Sequence, residues 1–189
     1  MRCKYAVAKA SARDTEMTPM ICDYIKSKKP DFLFVQMDSV DGAGHHNGYG
    51  SPAYLQRIHE VDALVGDVYR AVEEAEMLQD TLFIVLADHG GTPDGHHGGW
   101  TEAEKLVTFA IVGKGVQNVA IEEINVRDRA AIVLYAFGIE IPEIDEQGWT
   151  AQLPERVWND PFLPSYRDLS HLTGAAPRIS KEAHTSELI

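Results

Sequence analysis

The stretch "TLFIVLAD" (81–88) runs six apolar residues into Asp88 and His89, and a second histidine pair, His96 and His97, follows within the next eight positions. An earlier apolar run, "DFLFVQMD" (31–38), is followed in the same way by Asp38, Asp41, His45 and His46. Five loop histidines with several carboxylates make a mixed nitrogen and oxygen donor set. Such a set suits zinc, manganese or iron better than calcium. In open α/β sheets, ligands gather at the carboxyl ends of the strands, and both clusters fall there. The glycines around them (Gly42, Gly44, Gly48 and Gly50, then Gly90, Gly91, Gly95, Gly98 and Gly99) let backbone fold tightly about an ion or a substrate. The residues therefore predict a divalent-metal centre at one edge of a sheet.

Other polar residues have plainer readings. His59, His171 and His184 stand outside the two loops and read as solvated surface. Asp38 serves equally well in an Asx-turn or as a ligand. Asp94, directly after Pro93, reads as a turn residue, and Glu102 and Glu104 as a solvated face or a helix start.

Positioning these loops requires strands and helices in alternation. Residues 16–29 read as a short amphipathic helix with Met20, Ile21, Tyr24 and Ile25 on one face, basic at its C-terminal end and stopped by Pro30. Residues 31–38 read as a strand buried on both faces, and the segment after it as a glycine-rich loop. Residues 52–76 carry apolar residues at 3.6-residue spacing, with Ser51 and Pro52 as cap and first turn. Strands are expected at 81–88 and 106–113, and a helix at 126–138 closing on Gly138. Continuous apolar strands alternating with helices predict a parallel α/β sheet covered on both faces. Residues 1–168 form one domain in this reading, with 142–168 packing irregularly against it, and 169–189 a mobile tail.

Bulk properties limit the partners. The 189 residues carry a formal net charge of -12 and show no basic stripe, which argues against gripping nucleic acid by its phosphates. No apolar run approaches a membrane span, and the N-terminus lacks the apolar core of a signal peptide. Compartment stays open. Cys3 and Cys22 offer neither metal spacing nor a disulfide framework.

From about residue 17 to 155 the chain resembles the alkaline phosphatase superfamily, especially its type I phosphodiesterase/nucleotide pyrophosphatase branch. "DGAGHHNGYGSPAYLQRIHEVDALVGDV" is similar to the family's D-x-x-G-H loop and the helix after it. "TLFIVLADHGGTPDGHHGGWTEAE" is similar to its D-H-G-G and later G-H-G-G-x-T segments, and "VRDRAAIVLYAFGIEIP" to its closing helix. The resemblance implies a three-layer α/β/α sandwich of alkaline-phosphatase type with a parallel sheet. It also implies two divalent ions, usually zinc, with manganese or iron as alternatives. Asp41, His45 and His97 would bind one ion, and Asp88 and His89 the other. The reaction implied is phosphate-ester hydrolysis, with two metals about 4 Å apart clamping the attacking and leaving oxygens of an in-line displacement.

The chain departs from the family at its start. Members begin with a strand ending in a further metal-binding Asp and a turn presenting a Thr or Ser nucleophile. "MRCKYAVAKASARDTEM" contains neither, and Ser11, Thr15 and Thr18 read as loop or cap residues. The expectation is a C-terminal portion without the nucleophile half, shortened at the N-terminus and with little or no turnover alone. An apolar sheet face or edge should then be open, covered by a second copy or by the missing half. The substrate would be a phosphate-ester small molecule or a nucleotide. Two other readings stand beside this one: a non-catalytic metal- or partner-binding module, and a one-metal hydrolase using Asp41, His45 and His97 with an open water site.

Overall fold

The computed structural model describes residues 13–116, 118, 120, 124–126 and 128–139. Its elements run α1 (Asp14–Lys28), α2 (Ser39–Asn47), α3 (Pro52–Glu74), a 3-10 turn (Leu78–Asp80), β1 (Leu82–Leu86), α4 (Glu102–Lys105), β2 (Phe109–Gly113) and α5 (Asp128–Ala136). The expected tail and the irregular segment from 142 onward lie outside the described residues.

Two helices make the first core. Met17, Ile21 and Ile25 of α1 lie one turn apart and face Val68, Ala71 and Val72 of α3, all buried. The start of α3 follows the expected chemistry. Ser51 accepts a hydrogen bond from the Tyr54 amide through its Oγ, and Pro52 occupies the first turn, where a missing N–H costs nothing. Further along the chain, α5 closes on Gly138 with φ +65°. The Gly138 amide donates to Tyr135 O at 2.9 Å and the Ile139 amide to Leu134 O at 2.9 Å, the paired bonds of a Schellman cap.

The sheet is smaller than expected and of opposite sense. β1 and β2 pair antiparallel, Leu82 opposite Gly113 through Leu86 opposite Phe109, and no parallel pair of strands occurs among the described residues. Pairing sense is set by the path between strands. The 22 residues from Ala87 to Thr108 hold the predicted site loop and only the four-residue helix α4, so the chain simply turns back along β1. Helices still lie against both faces of β1. Leu82 and Ile84, with Phe109 and Ile111, pack on Ile132 and Ala136 of α5, while Phe83 packs on the α1–α3 core.

Residues 31–38 also differ from the reading as a doubly buried strand. They form no strand beyond an isolated bridge at Phe34, and their burial alternates. Leu33, Val35 and Met37 pack on the α1–α3 core, whereas Phe32 and Phe34 face outward, Phe34 being 56% exposed. Period-two burial marks an extended segment with one packed face. Val85 and Val112, in the two strands, are also exposed apolar residues.

The segment read as a glycine-rich loop is instead helix α2, with Gly42 and Gly44 inside it. Its N-terminus is capped from outside. The buried Asp14 carboxylate accepts from the Asp38 and Ser39 amides at 3.2 Å each, and from the Ser39 hydroxyl. A carboxylate suits the positive end of a helix and satisfies donors that the helix itself leaves unpaired.

Candidate metal centre

Helix α2 places Asp41 and His45 one turn apart on one face, with His45 Nε2 3.4 Å from Asp41 Oδ2. The third member comes from the loop after β1. His97 Nε2 lies 3.2 Å from His45 Nε2 and 3.8 Å from Asp41 Oδ1. One ligand atom from each of Asp41, His45 and His97 falls within 4.8 Å of the other two, making the three-residue ligand group among the described residues.

The spacing fits a small divalent ion. Two nitrogens each about 2.0–2.1 Å from a tetrahedral metal stand about 3.3 Å apart. The tautomer fits as well. His45 Nδ1 lies 2.7 Å from the Gly95 carbonyl oxygen, to which it donates its proton, so Nε2 keeps its lone pair toward His97.

The loop is held by a set of local bonds. Thr92 N donates to His96 O at 2.9 Å, Gly95 N to Thr92 O at 2.9 Å, and Tyr49 N to Thr92 O at 3.3 Å, which ties the loop to the end of α2. Gly48 has φ +84° and would place a Cβ 2.2 Å from Pro93 O, so only glycine permits this approach. Downstream, Glu104 accepts from the Gly99 amide at 2.7 Å and from the Thr101 amide and hydroxyl at 3.0 and 2.6 Å. These three donors, the Thr101 hydroxyl foremost, hold its carboxyl below the usual carboxylate range. Thr101 and Glu104 form a capping box, so Glu104 belongs to the helix-start reading and not to a solvated face.

Asp88 and His89 sit beside the group as a separate pair. The His89 ring stacks on His97 with centroids 3.8 Å apart and planes at 21°, and His89 Nε2 is 3.8 Å from Asp88 Oδ2. His89 Nδ1 lies 2.9 Å from Gly90 O. The two donor sets expected from the sequence therefore adjoin through the His89–His97 stack. Their neighbours point elsewhere. His46 contacts Gly42 O at 3.1 Å, and His96 contacts Asp94 O at 3.0 Å with its side chain 80% exposed. Asp94, bonded to the Thr92 hydroxyl and lowered in pKa chiefly by it, is a turn residue as read. Asp38 accepts from Gln36 at 3.1 Å, makes no side-chain cap, and stands outside the ligand group.

Tyr49 was not picked out by the sequence reading. Its hydroxyl donates to Asp41 Oδ1, and its ring meets those of His45 and His97 edge-on at 6.0 and 6.4 Å. Burial first, then the bond to Asp41 and its charge, push the phenol well above its ordinary pKa. The residue sits inside the glycine cluster, and only the fold reveals what its ring faces.

The whole stretch from before α1 to the end of α5 matches one known family: residues 4–138 match the type I phosphodiesterase / nucleotide pyrophosphatase family. The chain belongs to this family. Relatives of the type I phosphodiesterase chain include GPI ethanolamine phosphate transferase 2 of Aspergillus oryzae, 40% identical over 65 residues that cover 34% of this chain and 8% of the relative. The protein of the same description in Schizosaccharomyces pombe is 23% identical over 175 residues, 84% of this chain and 23% of its own length. The catalytic subunit of human GPI ethanolamine phosphate transferase 3 is 32% identical over 74 residues, 39% of this chain and 6% of the relative. The chain thus spans less than a quarter of the length of these curated relatives. Among the described residues, no helix is long and apolar enough to cross a membrane.

Proposed function

We propose that this chain carries the metal-binding part of a phosphoester-processing site. Asp41, His45 and His97 hold one divalent ion, and Asp88 and His89 contribute to a second. The observation that carries this reading is the convergence of Asp41, His45 and His97 ligand atoms within 4.8 Å of one another, in a chain of this family. Zinc suits the two imidazoles and one carboxylate, with manganese or iron as alternatives.

A divalent ion bound there supplies Lewis-acid charge to phosphoryl oxygens and lowers the pKa of an attacking hydroxyl or water. The chain's own residues supply the geometry. The Gly95 carbonyl fixes the His45 tautomer, the α2 turn sets the Asp41–His45 spacing, and Glu104 anchors the segment next to His97. With a formal net charge of -12, the protein repels phosphate esters unless cations sit at the site, so recruitment of an anionic substrate depends on the ion.

Hydrolysis and transfer share the same in-line displacement and differ in the acceptor, water in one and an alcohol in the other. The relatives' descriptions name ethanolamine phosphate transfer, so the substrate class extends from phosphodiesters and nucleotides to phosphoethanolamine donors. The chain on its own turns over little, because the attacking hydroxyl of the family is not supplied by the residues read from its sequence.

Zinc titration with hydrolysis of bis-p-nitrophenyl phosphate, in the presence and absence of an alcohol acceptor, tests the reading. Zinc affinity lowered by about 100-fold but still measurable in Asp41→Asn, with slow or no turnover, is expected. Absence of any transition-metal binding overturns the reading. A rate typical of complete phosphodiesterases, abolished by Asp41→Asn, overturns the low-turnover part. A second reading, a one-metal site, is favoured by the ligand group containing Asp41, His45 and His97 but neither Asp88 nor His89. One tightly held ion per chain selects it, and two select the first.

A further inference from the structure

A single side chain reaches all three members of the proposed site. Tyr49 is 7% exposed and donates its hydroxyl to Asp41 Oδ1, while its ring edges face His45 and His97. The ring packs closely between two glycines. A Cβ on Gly44 would lie 2.5 Å from the ring and one on Gly91 2.4 Å, so α2 and the loop after β1 close on it from two sides. A hydroxyl aimed from a clamped ring at Oδ1, which stands 3.8 Å from His97 Nε2, occupies that oxygen and leaves Oδ2, 3.4 Å from His45 Nε2, as the one without this donor.

Resting on the metal reading above, we propose that Tyr49 is a positioning residue that confines Asp41 to one-oxygen coordination through Oδ2 and thereby biases the site toward zinc. The physical reason is a competition for Oδ1. A carboxylate whose second oxygen accepts a hydrogen bond from a fixed donor must break that bond to chelate a cation with both oxygens. Four-coordinate zinc takes one oxygen and has no need of the second. Larger or higher-coordinate oxygen-seeking cations gain from the second oxygen and are opposed. Partners that orient a ligand in this way commonly account for about 10–100-fold in metal affinity.

The test uses the full 189-residue chain and its Tyr49→Phe variant, which keeps the clamped ring and removes only the hydroxyl. Asp41 is half exposed, so water can solvate the oxygen left without a donor. Zinc and manganese affinities are measured by calorimetry, and the visible absorption of the cobalt(II)-loaded proteins reports coordination number. The expected result is a loss of about tenfold or more in zinc affinity, with manganese affinity held within about twofold, and weaker cobalt bands as coordination number rises. In an Asp41→Asn background, the same Tyr49→Phe change should have no further effect on zinc. That separates action through Asp41 from general loosening of the loop. A parent chain that binds zinc and a Tyr49→Phe variant with the same zinc-to-manganese ratio and the same cobalt spectrum overturn the inference alone. An undiminished Tyr49→Phe effect in the Asp41→Asn background also overturns it. No zinc binding by the parent overturns the metal reading and this inference with it.

Discussion

His45 and His97, 52 residues apart in sequence, meet with their Nε2 atoms 3.2 Å apart. The Gly95 carbonyl takes the Nδ1 proton of His45, so the ring nitrogen facing His97 carries a lone pair. Two such nitrogens at this distance need a proton or a cation between them. Asp41, 3.4 Å from His45, adds negative charge beside them, which favours either occupant.

That relationship separates the paired histidines of each motif. Replacing His45 or His97 with alanine removes one of three converging donor groups and, on the proposed metal reading, should lower zinc affinity by about 100-fold or more. Replacing His46 or His96, each turned to a local carbonyl instead, should change it by less than about threefold. Calorimetric zinc titration of the four variants checks this, and equal losses across a pair would show that ligand choice is not set by the observed geometry.

The buried carboxylate of Asp14 tests how helix α2 is held. It accepts two backbone amides and a hydroxyl at the start of α2. Asp14→Ala leaves those part-buried donors without their acceptor and should lower stability by about 0.5–2 kcal/mol. Because α2 carries Asp41 and His45, zinc affinity should fall in the same variant even though Asp14 touches neither. Urea unfolding and zinc titration measured together decide whether the cap acts on the site.

Much of this organisation was legible in the residues themselves. Ser51-Pro52 marks the start of α3 because a capping hydroxyl and a missing N–H both act within one turn. Gly138 marks the end of α5 because a positive φ is a local demand. The two histidine and carboxylate clusters stood out because ligand-type residues after apolar runs are rare by chance; the family resemblance implied Asp41, His45, Asp88, His89 and His97 within them, and the fold brings three of these into one group with the other two adjoining. What escaped is long-range. Gly42 and Gly44 disfavour a helix locally, and α2 forms because Asp14 caps it from 25 residues away and Tyr49 covers Gly44. The sense of the β1–β2 pair depends on the path of the loop between them, which apolar runs do not encode. Residues 31–38 carry five apolar side chains of eight, a pattern that does not reveal that only Leu33, Val35 and Met37 pack on the α1–α3 core.

The glycines that receive Tyr49 differ from those that do not. Gly91→Ala would push a methyl into the ring at 2.4 Å and should destabilise by about 1–3 kcal/mol. Gly42, in α2, has nothing within 4 Å of its Cβ position, so Gly42→Ala should be neutral or stabilise by about 0.5–1 kcal/mol through helix propensity. Thermal unfolding of both variants tests the clamp without reference to metal. Opposite signs are expected, and equal effects would mean that the ring yields freely.

The last prediction concerns acid. Glu104 accepts three hydrogen bonds from Gly99 and Thr101, and its carboxyl is held below the usual range by them. A carboxylate depressed in the folded state binds its proton more readily when unfolded. Its contribution is therefore fully present above the ordinary Glu value of about 4.3 and disappears as pH falls through the lower folded value. Glu104→Gln keeps one oxygen acceptor and removes the charge, so its stability should fall below that of the parent at neutral pH. The gap should close as the medium is acidified past the ordinary Glu range. Unfolding midpoints measured from pH 7 down to about pH 3 trace that convergence. A gap that stays constant with pH would mean that the three bonds hold the 97–101 segment by geometry alone, with no part played by the charge.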